Sequence, residues 1–159
     1  MKTIKAIVFD LGGVLVDLDI EDCKAAFKEY LGYYEIDSII DACHQKGIYG
    51  DLEEGKLTGE EFREIVLRSS RPGSDPADVD RAMWHILVGM APYKAELLKK
   101  LSEKYELYLL SNNNPICMPR SRQIFEEAGV PLDKIFRNLC LTEDTFQTDN
   151  RHLLTTNNI

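Results

Sequence analysis

An almost unbroken apolar segment near the start of the chain, residues 4–9, places the strongest constraint on the fold. Its β-branched and aromatic residues are typical of a strand that is buried on both faces of a parallel sheet, where helices cover both sides. The segment ends in Asp10, and Gly12 and Gly13 follow. Open α/β sheets bind ligands at the carboxyl ends of their strands, and glycines let backbone approach a ligand closely. Asp10 is therefore a candidate functional residue.

The segment Phe-Asp-Leu-Gly-Gly-Val-Leu-Val-Asp at residues 9–17 resembles the first motif of the haloacid dehalogenase superfamily of hydrolases, in its helical-capped, phosphatase-like branch. The resemblance implies that Asp10 is a covalent nucleophile and that Gly12 and Gly13 bind phosphate. It also implies a Mg²⁺ site made of Asp10 and the carbonyl oxygen of Gly12, because this hard ion takes oxygen ligands. Most phosphatases of the superfamily carry a second aspartate where Gly12 stands. Gly12 has no side chain for general acid–base catalysis.

A second apolar segment, residues 106–110, predicts a strand that ends in Ser111 and is followed by Asn112. A strand followed by Ser and Asn resembles the second motif of the superfamily. The resemblance implies that Ser111 and Asn112 bind a phosphoryl oxygen, for which a hydroxyl and adjacent backbone N–H groups are suitable donors.

The segment between these two strands shows helical patterns and no strand from residue 20 to residue 90. Asp19 is a predicted N-cap, Thr58 and Glu61 have the spacing of a capping box, and Pro76 suits a first helical turn. Further helices are predicted at about 36–43, 92–104, 120–128 and 132–136, and a third strand at 138–142. A helical insertion after the first strand resembles the cap of the superfamily, although composition alone equally allows a plain helical subdomain.

The predicted fold class is thus α/β, with a three-layer, Rossmann-like parallel sheet and an inserted helical cap. The predicted core comprises residues 1–17 and 91–142, the cap residues 18–90, and a polar tail residues 143–159. Members of the superfamily continue after the third strand with a Lys-Pro-Asp loop and a strand that ends in an acidic pair. This chain lacks both, and Glu143-Asp144 matches the third strand in order rather than the acidic pair. We therefore expect an incomplete core that holds Mg²⁺ weakly.

Incompleteness has a further consequence for the first strand. The absent strands would flank residues 4–9, so we expect this strand to present an unpaired apolar edge. A second copy of the chain can cover such an edge, which predicts a homodimer as one outcome.

Composition excludes several classes of protein. The 159 residues carry a net charge of −8 with no Lys/Arg cluster, which disfavours nucleic-acid binding. The first apolar segment is too short for a signal peptide or membrane span, so we expect a cytoplasmic protein. The four cysteines lie far apart and predict reduced thiols rather than a zinc site or a disulfide framework (Cys23, Cys43, Cys117 and Cys140).

Three functions remain open at this point. The resemblance favours the first, a Mg²⁺-dependent phosphatase of small phosphorylated metabolites that works through an aspartyl phosphate. The second is metal-independent hydrolytic dehalogenation, whose enzymes also lack the second aspartate. The third is a non-catalytic binding protein.

General acid–base help is worth about 10²–10⁴ in rate, and His44 and His85 are the candidates to supply it from the cap, although both fit a surface or packing position better. Arg120 and Arg122 fit a solvated helix face better than an anion site.

Overall fold

The computed structural model describes residues 4–40 and 47–141. In chain order the elements are β1 (Ala6–Phe9), β2 (Asp17–Leu18), α1 (Ile20–Ala26), a π-helical turn (Phe27–Leu31), α2 (Ile36–Ile39), α3 (Gly47–Glu53), α4 (Gly59–Arg68), α5 (Pro76–Trp84), β3 (Leu87–Gly89), α6 (Pro92–Ser102), β4 (Glu106–Ser111), α7 (Met118–Glu127), α8 (Leu132–Ile135) and β5 (Asn138–Leu141).

A three-stranded sheet, in the order β1-β4-β5, forms the centre of the fold. Both pairings are parallel, and Phe9 of β1 lies opposite Leu109 of β4. The carboxyl ends of parallel strands meet at one edge of a sheet. Asp10 directly follows β1 and Ser111 ends β4, so both lie at this edge. The prediction of an α/β fold with a parallel sheet is confirmed.

Helices of the described residues cover one face of this sheet. Both crossovers, through α6 and through α7 with α8, run in the same direction across the sheet, and right-handed crossovers then put these helices on the same face. Leu107 and Leu109 point into that layer and are buried, whereas Val8 is 61% exposed and Leu110 is 53% exposed. The expectation that the first strand is buried on both faces is wrong for residues 4–40 and 47–141, because their helices pack on one face only.

The position of β1 at the edge of the sheet agrees with the prediction of an unpaired edge for this strand. Among the described strands, β1 pairs with β4 alone, so its other side forms an edge of the sheet. Ile4, just before this strand, is 69% exposed. Pairing of this edge with a second copy stays a prediction.

The helices α1 to α5 lie between two short strands that pair with each other. Strand β2 runs antiparallel to β3, with Asp17 opposite Gly89 and Leu18 opposite Leu87. The chain thus leaves the sheet and returns to it at adjacent points. The prediction that residues 20–90 contain no strand is wrong at β3. Strands of two and three residues are too short to show the alternation by which strands are recognised in a sequence.

An ion pair joins this ribbon to the following helix. Lys94, in the first turn of α6, is buried, and its Nζ donates to Oδ1 of Asp17 at 2.7 Å. Burial of an ammonium group costs free energy unless the group has a partner. The bond to Asp17 supplies this partner and connects the start of α6 to β2.

Most predicted helices are present, and their ends carry the expected caps. Asp19 caps α1 by accepting from the Asp22 N–H at 2.9 Å, and Asp75 caps α5 in the same way. The predicted helix at 36–43 is observed as α2, and residues 41–46 lie outside the described residues. Helix α3 was not predicted, and for residues 27–31 the sequence predicted a helix but not its π-helical form. Two of the seven residues of α3 are glycine, which lowers its helix propensity.

The elements after β3 begin and end within about two residues of their predicted positions. They are α6, β4, α7, α8 and β5. Thr142 and the predicted tail at 143–159 lie outside the described residues.

The capping box of α4 predicts a pH-dependent contribution to stability. The N–H and hydroxyl of Thr58 both donate to Glu61 Oε2 at 2.9 Å, and these bonds lower the pKa of Glu61 from its ordinary 4.5. A lowered pKa in the folded state stabilises the fold above 4.5, and this contribution is lost as the pH falls through the lower value. We expect Glu61→Ala to lower the melting temperature at neutral pH, and the difference from wild type to shrink on acidification. Glu60→Ala, in the same turn, is the control and should show no such narrowing. A difference that stays constant with pH would contradict the prediction.

Candidate functional site

A cavity of about 610 Å³ opens at the carboxyl edge of the sheet. Four of the predicted site residues line it together: Asp10, Gly12, Ser111 and Asn112. The helical segment closes another side with apolar side chains and with α3. The sequence-predicted residues of two separate motifs therefore meet at one cavity.

Asp10 stands where β1 gives way to a tight turn. Its Oδ1 accepts a hydrogen bond from the N–H of Leu11 at 2.7 Å. This bond fixes the orientation of the carboxylate and engages one of its two oxygens. Oδ2 does not take part in this bond.

The turn after Asp10 is held by three backbone hydrogen bonds. The N–H groups of Leu15 and Val16 donate to the carbonyl of Leu11, and the N–H of Gly13 donates to the carbonyl of Val16, each at 2.9 Å. None of these three bonds uses the carbonyl of Gly12. The carbonyl oxygen of Gly12, close to Asp10, thus accepts none of the three hydrogen bonds that shape the turn and can serve as a metal ligand.

Gly13 shapes this turn. Its φ of +72° lies in the left-handed region that favours glycine. It does not line the cavity among the described residues, and its N–H is engaged by Val16. A phosphate contact from Gly13 stays a prediction.

Ser111 is buried at the end of β4, and the exposed Asn112 follows it at the cavity. Two further asparagines, which the sequence did not single out as site residues, fix the loop beyond. Asn113 is buried and donates through Nδ2 to Ser121 Oγ at 3.1 Å. Asn114 is buried as well, and its Oδ1 accepts from the N–H groups of Ile116 and Cys117 at 3.1 and 2.9 Å. Since both amides bond to the start of α7, they hold the loop that carries Asn112.

Helix α3 brings two polar side chains into the cavity, Tyr49 and Glu53. Burial, the charge of Glu53 and a hydrogen bond between the two side chains raise the pKa of Tyr49 well above its ordinary value. The phenol therefore stays protonated. Sequence analysis did not identify these residues because it did not predict α3. Their spacing of four residues, which puts them on one face of a helix, is the signal that was available.

Cys117 also lines the cavity and is buried, which raises the pKa of its thiol far above the ordinary value. The same cause raises the pKa of Cys23 to about 12. Both are free cysteines, so the prediction of reduced thiols is confirmed for these two. Cys43 lies outside the described residues, as does the side chain of Cys140. At ordinary pH neither Cys23 nor Cys117 provides a thiolate nucleophile.

The other candidates among the described residues do not line this cavity. His85 bonds through Nδ1 to Asp22 at 2.8 Å and through Nε2 to Tyr30 at 3.0 Å, which is a packing role within the helical segment. Arg120 lies 3.6 Å from Glu127, and Arg122 lies 2.6 Å from Asp133. His44 lies outside the described residues.

The described part of the chain contains no cluster of three or more His, Cys, Asp or Glu side chains that could hold a metal ion. None of the helices in residues 4–40 and 47–141 has the length and apolar character needed to cross a bilayer.

Comparison with known proteins identifies the family. A D-ribitol-5-phosphate phosphatase from Bacteroides thetaiotaomicron is 35% identical over 144 residues, which cover 87% of this chain and 68% of the phosphatase. The chain belongs to the haloacid dehalogenase (HAD) family. A scan against protein-family models finds no match.

Solved structures of HAD proteins agree with this assignment. A HAD family enzyme from Bacteroides thetaiotaomicron, crystallised with magnesium and inorganic phosphate, is 31% identical with a TM-score of 0.81. The match covers 96% of this chain and 75% of that enzyme. A predicted HAD-like hydrolase from Porphyromonas gingivalis is 32% identical with a TM-score of 0.77, over 89% of this chain and 68% of that one. The family resemblance of residues 9–17 is confirmed.

Proposed function

We propose that this chain is a magnesium-dependent phosphatase of small phosphorylated metabolites, with Asp10 as its nucleophile. The observation that carries the proposal is the meeting of Asp10, Gly12, Ser111 and Asn112 at one cavity, in a chain that is 35% identical to a sugar-alcohol phosphate phosphatase. The relative acts on D-ribitol-5-phosphate, so five-carbon polyol phosphates are the first substrates to examine.

Asp10 attacks phosphorus through Oδ2, because the Leu11 N–H engages Oδ1. A bond forms between this oxygen and phosphorus, and the bond from phosphorus to the leaving alcohol breaks. The alcohol oxygen gains a proton. Water then attacks the aspartyl phosphate, which releases inorganic phosphate and restores the carboxylate. This covalent route splits one difficult step into two easier steps.

The leaving alcohol receives no proton from residue 12. Gly12 lacks a side chain, so water or another cavity group supplies this proton. Because general acid–base help is worth about 10²–10⁴, we expect slower turnover than in an enzyme with a carboxylate at this position.

The oxygen ligands available beside Asp10 suit a magnesium ion. Mg²⁺ prefers oxygen ligands and keeps several waters. The carboxylate of Asp10 and the carbonyl of Gly12, which the turn leaves out of its three hydrogen bonds, are the residues that would hold it. When bound, the ion neutralises charge on the phosphoryl group. Two protein ligands give a weak hold, and the magnesium complex of the Bacteroides thetaiotaomicron enzyme supports the choice of ion.

Ser111 and Asn112 bind the phosphoryl oxygens in this proposal. The hydroxyl of Ser111 and the backbone N–H groups after β4 are suitable donors, and both residues line the cavity with Asp10. The buried bonds of Asn113 and Asn114 keep this loop in place, so the donors need little rearrangement when phosphate arrives.

The helical segment, residues 18–90, acts as the cap over this site. The paired strands β2 and β3 connect it to the sheet, and its residues Leu18, Ile20, Ile86 and Leu87 form apolar walls of the cavity. Residues 1–17 and 91–142 form the α/β core. Location in the cytoplasm and a dimer through β1 stay predictions.

The test is release of inorganic phosphate from D-ribitol-5-phosphate by the purified chain. We expect turnover with Mg²⁺, a fall of at least about 100-fold after chelation, and recovery when Mg²⁺ is restored. Release of chloride from 2-chloropropionate is measured in parallel. Metal-independent chloride release without phosphate release would favour a dehalogenase. No turnover of either compound by a folded chain would favour a binding protein.

A further inference from the structure

The loop that carries Asn112 is bonded directly to the helical segment. Trp84, the last residue of α5, donates from its indole Nε1–H to the carbonyl oxygen of Ile116 at 2.7 Å. Ile116 is 1% exposed and lies within residues 112–117, which connect β4 to α7. An acceptor in a buried environment costs free energy when its donor is removed. The indole bond therefore helps to set the position of this loop.

A second contact joins the same loop to the start of α4. A Cβ atom added at Gly59 would lie 3.4 Å from Cγ1 of Ile116 and 3.5 Å from Cγ of Pro115, so the backbone of α4 packs closely against the loop. Nε and Nη2 of Arg63, in α4, donate to the two carboxylate oxygens of Asp80, in α5, at 2.6 and 3.0 Å. Bidentate pairs of this kind restrict the geometry of both partners. Helices α4 and α5 thus contact the loop as one unit.

Hydrogen bonds continue from the indole through the loop to the cavity. The N–H of Ile116 donates to Oδ1 of Asn114 at 3.1 Å, and the N–H of Asn114 donates to Oδ1 of Asn113 at 3.1 Å. Asn112, Asn113 and Asn114 all line the cavity. Since linked hydrogen bonds support one another, loss of the bond from Trp84 weakens the hold on the residues that present donors to a phosphoryl group.

We propose that Trp84 is a positioning residue, which couples the helical segment to phosphate binding by the loop after β4. This inference rests on the proposed phosphatase function. Trp84 is not among the described residues that line the cavity, so it acts through the loop and not on the substrate. Such coupling is reciprocal, because a bond that favours phosphate binding is itself favoured by bound phosphate to the same extent. Trp84 is the only tryptophan of the chain, so its fluorescence can report this effect.

The first measurement is the affinity of Trp84→Phe for inorganic phosphate in the presence of Mg²⁺. Phenylalanine keeps an aromatic ring and lacks the N–H donor. We expect the Kd from calorimetric titration to rise about 5- to 10-fold over wild type, which is the effect of one hydrogen bond. KM for D-ribitol-5-phosphate should rise by a similar factor, with kcat changed by less than about threefold, because the loop binds the phosphoryl group both before and during the reaction. A purely structural role would lower the melting temperature and leave Kd and KM unchanged.

Tyr30→Phe is the matched control. It also removes one hydrogen bond from an aromatic residue of the helical segment, since the Tyr30 hydroxyl lies 3.0 Å from Nε2 of His85. Neither Tyr30 nor His85 lines the cavity among the described residues. We expect a comparable fall in the melting temperature and a phosphate Kd within about twofold of wild type. An equal rise of the Kd in both variants would overturn the proposal, because a general loss of stability would then explain it.

A second measurement uses wild type and covers the case in which Trp84→Phe does not fold. Quenching of Trp84 fluorescence by acrylamide is recorded in Mg²⁺ as inorganic phosphate is added. We expect phosphate to protect the indole from acrylamide, with half of the effect at the Kd that calorimetry gives. Quenching that is the same without phosphate and at saturating phosphate would overturn the proposal.

The outcomes distinguish this inference from the function on which it rests. If wild type binds phosphate and hydrolyses the ester, an unchanged Kd in folded Trp84→Phe overturns the role of Trp84 and leaves the phosphatase. If wild type neither binds phosphate nor hydrolyses the ester, both proposals are overturned.

Discussion

Asp10→Asn is expected to lower phosphate release by at least about 1000-fold without changing the fold. Removal of a covalent nucleophile typically eliminates most of the rate enhancement of an enzyme. Asparagine has the same shape and keeps an oxygen that can accept from the Leu11 N–H, so the 2.7 Å bond that orients residue 10 can remain. The amide, however, is a poor nucleophile toward phosphorus. Initial rates with D-ribitol-5-phosphate measure the effect, and circular dichroism and the melting temperature check the fold.

The control for this experiment is Asp133→Asn. Asp133 is exposed on α8, where it pairs with Arg122, and it does not line the cavity. Its replacement removes the same charge, so it should leave the rate within about twofold if surface charge does not matter. A rate in Asp10→Asn within 10-fold of wild type would mean that another residue or a contaminating phosphatase carries the activity.

The strands and the candidate nucleophile could be predicted because each leaves a local signal. Residues 4–9 and 106–110 form largely apolar segments of strand length, and a polar residue follows each of them, Asp10 after the first and Ser111 after the second. The capping box of Thr58 and Glu61 likewise depends on only four consecutive residues. Such features depend on neighbours in sequence. The structure confirms the strands and the capping box, and the role of Asp10 as nucleophile stays a proposal.

Features that depend on distant contacts could not be predicted in this way. The exposure of Val8 and Leu110 depends on which face the crossover helices cover, and an apolar strand looks the same in either case. The role of Asn114 depends on the direction in which its amide points within a polar loop. Helix α3 begins with glycine and has low helix propensity, so the pair that it brings to the cavity became apparent only in three dimensions.

The second large effect concerns the support behind the nucleophile. Phe136, between α8 and β5, is 4% exposed. Its ring lies 6.3 Å from that of Phe9 and 6.1 Å from that of Phe125, both in edge-on arrangements. Phe9 directly precedes Asp10, and Phe125 belongs to α7. Phe136 therefore connects the strand that carries the nucleophile to the helix that follows the second motif.

Phe136→Ala should lower the free energy of unfolding by about 3–5 kcal/mol, because it removes buried apolar area, leaves a cavity and breaks two aromatic contacts. Domains of this size are stable by about 5–15 kcal/mol, so the loss is a large share of the total. Urea unfolding followed by tryptophan fluorescence measures it. Phe136→Leu should lose less, and Tyr34→Ala, at a side chain that is 70% exposed, should change stability by about 0.5 kcal/mol or less. Because Phe9 directly precedes Asp10 and its ring packs against Phe136, phosphate release per folded molecule should fall as well. A loss below about 1 kcal/mol would show that the three rings do not support this strand.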